Sequence, residues 1–181
     1  SANNCYNVGN IVGSSSYSGG ITGRGGAVYN CYNLGDVTGW YVGGIAGQCF
    51  SSSVYNCINM GNLSITTGYE GGIVGGLYGS ATYKSGGYYW STSPAYIRYC
   101  YWDENVDFSH ATSSDLNRKA YGEASTSVYT DAGNEIYAPS AWDSENNGTC
   151  TTEESKDTAW YLDSSNWHSS YPWDFTNVWT I

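Results

Sequence analysis

Along the first half of the chain, apolar residues come in short sets separated by glycine, and no stretch has the spacing of an amphipathic helix. One set recurs as Gly19-Gly20-Ile21-Thr22-Gly23, Gly43-Gly44-Ile45-Ala46-Gly47 and Gly71-Gly72-Ile73-Val74-Gly75. A second keeps pace with it: Asn4-Cys5-Tyr6-Asn7-Val8-Gly9, Asn30-Cys31-Tyr32-Asn33-Leu34-Gly35 and Asn56-Cys57-Ile58-Asn59-Met60-Gly61, each 26 residues after the last. A degenerate fourth copy, Tyr99-Cys100-Tyr101-Trp102-Asp103, is delayed by an insertion at 84–98. Strand-length apolar sets repeating at this period predict an all-β fold, a β-solenoid of about 26-residue coils. One such coil has too little apolar surface to fold alone and must stack on its neighbour, roughly 4.8 Å away.

Stacking turns equivalent positions into ladders. Cys5, Cys31 and Cys57 are expected on one line, and Ile21, Ile45 and Ile73 on another. Two period-two sets are open around the second copy: Val28, Asn30, Tyr32 and Leu34, or Tyr29, Cys31 and Asn33. Buried cysteine and isoleucine ladders are favoured. The paired glycines are expected at corners with positive φ, where a side chain would strike the coil above.

Composition divides the chain near Tyr99. Of 24 glycines, 21 lie in residues 1–98, where Asp36 and Glu70 are the only acids. Residues 99–181 carry fourteen acids against three bases, a local charge of −11 within an overall −10. The expected organisation is a repeat array over 1–103, followed by an acidic, tryptophan-bearing, irregular segment over 104–181. An acidic chain lacks the positive surface that a nucleic-acid partner requires. No run of about 18 apolar residues exists to cross a membrane as a helix.

The Asn-Cys-Tyr-Asn-x-Gly element followed by Gly-Gly-Ile-x-Gly resembles the GLUG repeat of bacterial surface proteins. Trp173-Asp174-Phe175-Thr176-Asn177-Val178-Trp179-Thr180-Ile181 resembles the segment that often closes such arrays. The resemblance spans roughly residues 4–103 and 172–181, and residues 104–171 match no pattern. It implies a secreted or cell-surface location and large extracellular parent proteins, some related to immunoglobulin-A-cleaving metallopeptidases. The His-Glu-x-x-His signature of that chemistry is missing here, so the peptidase activity does not carry over.

Candidate chemistry is sparse. His110 and His168 are the only histidines, and neither lies in a nucleophile motif. The acid pairs Asp103/Glu104 and Glu153/Glu154 read better as solvated surface than as a glycosidase pair. Asp143, Glu145 and Asn147, with Gly148 and then Glu154 at the twelfth position, have the oxygen spacing of a calcium loop. A weaker cluster is Asp103, Asn105 and Asp107. Cys5, Cys31, Cys57 and Cys100 form either a buried thiol ladder or staples between coils, at spacings unlike a zinc site. Cys49 is expected on another face, with Cys150 as its disulfide partner. Asn62-Leu63-Ser64 and Asn147-Gly148-Thr149 are glycosylation acceptor triplets.

Tyr88, Tyr89, Trp90 and Tyr96 in the insertion are candidates for a sugar- or protein-binding surface, or for a lid. Trp173, Phe175, Val178 and Trp179 are candidate assembly anchors, expected to join another copy rather than to fold back as a cap. The first repeat begins at Asn4 without a polar cap, so either other copies or the rest of a longer surface protein is expected to meet it. The reading is a non-catalytic extracellular structural or adhesive solenoid, a section of a surface adhesin or a filament subunit. The alternative is a glycan-binding or glycan-cleaving module, and the ligand classes are a glycan or a host protein.

Overall fold

The computed structural model describes residues 1–14, 16–83, 90–93, 95–106, 119–130, 142–176 and 178, with backbone alone at 80–83, 90–93, 123–130 and 142–143. The described chain is nearly all β, and it visits four sheets in turn. The first sheet places β1 (Ala2–Asn3), β6 (Val28–Tyr29), β10 (Ser53–Tyr55), β15 (Ala95–Arg98) and β18 (Trp142–Glu145) side by side. The second does the same with β2 (Tyr6–Asn7), β7 (Tyr32–Asn33), β11 (Ile58–Asn59), β16 (Tyr101–Asp103) and β19 (Gly148–Cys150). In the third, β3 (Ile11–Val12) and β4 (Tyr17–Gly19) pair with β8 (Val37–Gly43), and β8 pairs with β12 (Leu63–Gly71). The fourth holds β5 (Thr22–Arg24), β9 (Ala46–Phe50), β13 (Val74–Tyr83), β14 (Trp90–Ser93) and β17 (Tyr121–Thr130). Among the described residues, only the β13–β14 pair is antiparallel.

The register matches the repeat. Tyr6 lies opposite Tyr32, Tyr32 opposite Ile58, Ile58 opposite Tyr101, and Tyr101 opposite Gly148. Ile45 and Ile73 are fully buried, and the Ile21 amide donates to the Ile45 carbonyl, Ile45 to Ile73, and Ile73 to Ala120. The isoleucine and cysteine ladders form as expected, with Val28, Val54 and Ile97 beside them in one core.

Three expectations are corrected. The sheets do not stop at residue 103: β17, β18 and β19 add further strands, so Ser144-Glu145-Asn146-Asn147 is a fifth copy of the Val54-Tyr55-Asn56-Cys57 corner. The period-two sets mix, because Asn30 adopts a positive φ of 51° and turns the chain between Val28 and Cys31. Val28, Cys31 and Asn33 therefore face the core, while Leu34 is half exposed. Finally, the repeat corners with positive φ are at Asn4, Asn30, Asn56, Tyr99 and Asn146 and not at the pairs Gly19-Gly20, Gly43-Gly44 and Gly71-Gly72; elsewhere Ser51, Gly25, Gly26 and Gly68 also have positive φ. Asparagine tolerates this left-handed region better than most residues.

The paired glycines have a different task. A Cβ on Gly44 would collide with the Asn59 side chain, and one on Gly72 with the Trp102 ring. Their bareness makes room for an internal amide ladder. Asn7 Nδ2 donates to Asn33 Oδ1 and Asn33 Nδ2 to Asn59 Oδ1, both at 2.8 Å. Each amide also bonds the backbone two residues on, as Asn33 does with the N–H and the C=O of Gly35. Trp102 takes the next place in line.

Candidate functional site

On the outer side of the second sheet, Tyr32, Ile58 and Tyr101 form an aromatic and apolar strip. Residues 151–176 lie across it. This cover begins with a reciprocal cap: the Thr151 amide donates to Glu154 Oε2 at 2.8 Å, and the Glu154 amide to Thr151 Oγ1 at 3.1 Å. A single 3-10 turn (Glu154–Lys156) follows, then α1 (Thr158–Leu162), whose Asp157 N-cap accepts from the Ala159 amide at 2.8 Å. Beyond α1, Asp163 accepts from both the amide and the hydroxyl of Ser165, which lowers its carboxyl from the ordinary value.

The underside of the cover is aromatic. Tyr161, Trp167 and Trp173 are buried against Ile58 and Cys150, with Trp160, Tyr101 and Phe175 around them. Ring centroids lie 4.9 Å apart for Trp160 and Trp167, 5.0 Å for Tyr161 and Trp173, and 5.2 Å for Tyr101 and Trp167. Tyr161 donates its hydroxyl proton to the Ser155 carbonyl at 2.9 Å. Edge-to-face pairs at these separations add to the gain from area burial.

Corner asparagines hold the other margin. Asn56 Oδ1 accepts from the His168 amide at 2.8 Å, and its Nδ2 donates to the carbonyls of Tyr171 and His168. Asn30 Nδ2 donates to the Pro172 carbonyl at 3.2 Å. Tyr171 stacks on Tyr29 at 4.3 Å and on Tyr55 at 5.6 Å. This clamp was missed by sequence reasoning, although Tyr-Asn-Cys recurs at 29–31 and 55–57 and so marks its position.

Towards the first repeat, the strip passes out from under the cover. A groove of about 550 Å³ opens there, with Asn4, Tyr6, Tyr32 and Leu34 on the repeat side and Trp173, Phe175 and Lys156 on the cover side. Tyr6 is 69% exposed on its floor. Such a groove offers ring faces, an amide and one cation, a set suited to sugar rings or apolar peptide. Burial raises the Tyr32 and Tyr161 phenols that line it from their ordinary value.

The other sequence candidates separate. Glu145 pairs with Arg98 at 2.6 Å, Asn147 turns inward to accept from the Cys100 amide, and Glu154 is spent on its cap. The structure therefore does not bring these three into a calcium loop, and the Asp143 side chain lies outside the described residues. The reason is that Asn146 and Asn147 are a repeat corner, whose pleat aims consecutive side chains apart. Among the described residues, no three His, Cys, Asp or Glu side chains are placed to hold a metal ion. Asp103 closes a local turn, accepting from the Asn105 amide at 2.8 Å, and Asp107 lies outside the described residues.

All six cysteines are free thiols, so the expected Cys49–Cys150 bridge is corrected. Cys49 is buried in the main core and donates to the Ser52 carbonyl at 2.8 Å, while Cys150 lies under the cover beside Met60. The assembly expectation is corrected in part. Trp173 is buried against its own chain and Phe175 packs beside it, Val178 is 45% exposed, and Trp179 lies outside the described residues. In the insertion, Tyr96 is half-buried with the Arg98 guanidinium 4.6 Å above its ring. Tyr88 and Tyr89 lie outside the described residues, as does the Trp90 side chain. Of the glycosylation triplets, Asn62 is exposed and bonds Asp36, whereas Asn147 is buried.

Compared with family models, curated proteins and solved structures, the chain gives no match.

Proposed function

We propose that the chain is a β-solenoid scaffold of the bacterial cell surface, a non-catalytic section of an adhesive or structural protein. One observation carries the reading. The residues that recur with the repeat spend their polar groups and apolar surface on one another, in the asparagine ladder, the isoleucine ladder and the buried thiols. A repeat built in this way extends a surface, and each added coil lengthens it. The GLUG resemblance supports the same reading through its motif residues. The packing of Trp173 beneath its own cover favours a section of a longer surface protein over a filament joined through that segment.

A second reading is favoured by the groove beside Tyr6, which suits a glycan or an apolar peptide as the adhesive ligand. Beads carrying the purified chain are expected to attach to immobilised glycans or matrix proteins without consuming them. Release of reducing ends or peptides, abolished by Asp103→Asn or Glu104→Gln, would overturn the non-catalytic reading. Unchanged attachment by Tyr6→Ser would remove the groove from the adhesive surface while leaving the scaffold reading intact.

A further inference from the structure

Away from the cover, the third sheet carries another group of aromatic rings. Tyr17, Tyr41 and Tyr69 lie opposite one another on β4, β8 and β12, with successive ring centroids 5.0 and 5.3 Å apart. Trp40 joins them, 4.7 Å from Tyr41 and 6.1 Å from Tyr17. The register is irregular on both sides of it. Gly39 and Tyr41 are two residues apart on β8, whereas their partners Ile65 and Tyr69 are four apart on β12. Thr38 and Tyr41 are three apart, and their partners Val12 and Tyr17 are five apart. Extra residues of this kind bend a strand and re-aim its side chains. Gly68, at a φ of 100°, lies bare against the indole, where a Cβ would strike the Trp40 ring. Trp40 remains 37% exposed and Tyr69 42%. Because β8 is paired along both edges, Trp40 is open through the face of a sheet and not at an end of the stack.

Polar groups border the rings. The Arg24 guanidinium lies 5.8 Å from the Tyr17 ring centroid, is exposed, and makes no ion pair with a described residue. Of the two acids among residues 1–98, Asp36 accepts from Asn62 and Glu70 is buried, so the open charge beside the rings is positive. In the fourth sheet Gln48 stands between Arg24 and Gly76, and a Cβ on Gly76 would lie 3.2 Å from the Tyr41 ring. This row sets Gln48 beside the Tyr17 and Tyr41 rings. Gln48 is 6% exposed, and its Oε1 has no hydrogen-bond partner among the described residues. A buried acceptor left in this way calls for a donor.

We propose that this face binds a carboxylated glycan, a polymer of uronic acids. Pyranose rings pack on Trp40 and Tyr69, the Arg24 guanidinium pairs with a carboxylate, and a sugar hydroxyl donates to Gln48 Oε1. The assignment rests on the adhesive reading and names its ligand class. Steps of 5.0 and 5.3 Å between rings are close to the length of one sugar in an extended chain, so successive sugars meet successive repeats. Charge complementarity selects this occupant, because a neutral glycan or a proline-rich peptide leaves Arg24 unpaired.

The test titrates the full chain with tetragalacturonate, and with cellotetraose as the neutral counterpart, by isothermal calorimetry. Tetragalacturonate is expected to bind more tightly than cellotetraose. Arg24→Gln should weaken the acidic ligand about tenfold and leave the neutral one unchanged, the loss of one charge-assisted bond. Tyr69→Ala and Trp40→Ala should weaken both. Arg24 and Tyr69 are exposed, so their variants are expected to keep the β signal in circular dichroism even if Trp40→Ala does not fold. Equal binding of the two sugars, or unchanged binding by Arg24→Gln and Tyr69→Ala, would overturn the proposal. So would a proline-rich peptide that binds in place of tetragalacturonate and is lost in Tyr69→Ala. Attachment of the chain to glycan-coated surfaces that survives every variant would overturn this site and leave the adhesive reading standing, whereas no attachment to any glycan or matrix protein would overturn both.

Discussion

Replacing Asn33 by alanine tests whether the internal amide ladder stabilises the stack. Asn33 is fully buried and makes four hydrogen bonds: from Asn7 Nδ2, to Asn59 Oδ1, from the Gly35 N–H and to the Gly35 C=O. At about 1 kcal/mol net for each, the substitution should cost about 4 kcal/mol, since water does not reach the groups left behind. For a chain of this size that corresponds to a fall in Tm of roughly 8–16 °C. Asn7→Ala removes the same kind of contacts at the exposed end, where solvent replaces them, and should cost about 1 kcal/mol. Urea unfolding followed by circular dichroism and tryptophan fluorescence measures both, with the slope expected to stay constant. The double variant Asn33→Ala/Asn59→Ala should cost less than the sum of its singles, because each single orphans a partner that the double removes. Equal losses at positions 7 and 33, or strict additivity at 33 and 59, would refute the reasoning.

Three further outcomes follow from the packing. Trp173→Ala should destabilise by about 3–5 kcal/mol and red-shift the tryptophan emission, with the intact chain sedimenting as a monomer; a stable variant with unchanged emission would show the buried cluster to be misassigned. Gly44→Ala should cost several kcal/mol by driving a methyl into Asn59, and a neutral effect in thermal unfolding would contradict the close approach. Burial raises the Tyr101 and Tyr29 phenols from 10.0 to about 12, so their stabilising contribution is complete below pH 10 and is lost as pH climbs through 12. Phenolate absorbance should then rise together with loss of the β signal, and smooth titration near pH 10 with no unfolding would refute the burial.

The array was legible because its signals are local and repeated. Asn-Cys-x-Asn-x-Gly gave the 26-residue step, and with it the partners of Tyr6, Tyr32 and Ile58, while Gly-Gly-Ile-x-Gly recurs once in each step. The fifth strand set was hidden, since Asn146-Asn147-Gly148 keeps the corner but replaces cysteine by an amide that bonds the Cys100 amide and the Ile97 carbonyl. Its acids then read as calcium ligands, a pattern that ignores which way each side chain points. The cover was hidden for a different reason. Trp173 and Tyr161 have no periodicity to reveal their partners, and the apolar anchor of a lid is chemically identical to the apolar anchor of an interface.

The corner asparagines link these levels. A left-handed residue costs a non-glycine side chain stability unless something compensates. At Asn30 and Asn56 the amide recovers that cost by bonding the backbone of His168 to Pro172, so the kink that aims Cys31 and Cys57 inward also fastens the cover outside. At Tyr99 the corner has the same φ without an amide, and the ring instead meets His168 edge-on at 5.6 Å. Three successive repeats thus contribute one residue each to the seam, two by hydrogen bonds and one by an aromatic contact. Asn4 holds the equivalent corner of the first repeat, where it lines the groove beside Tyr6. The groove is therefore the seam continued by one repeat, and a ligand seated there would find the amide and tyrosine face that the repeats beside it offer to the protein's own chain.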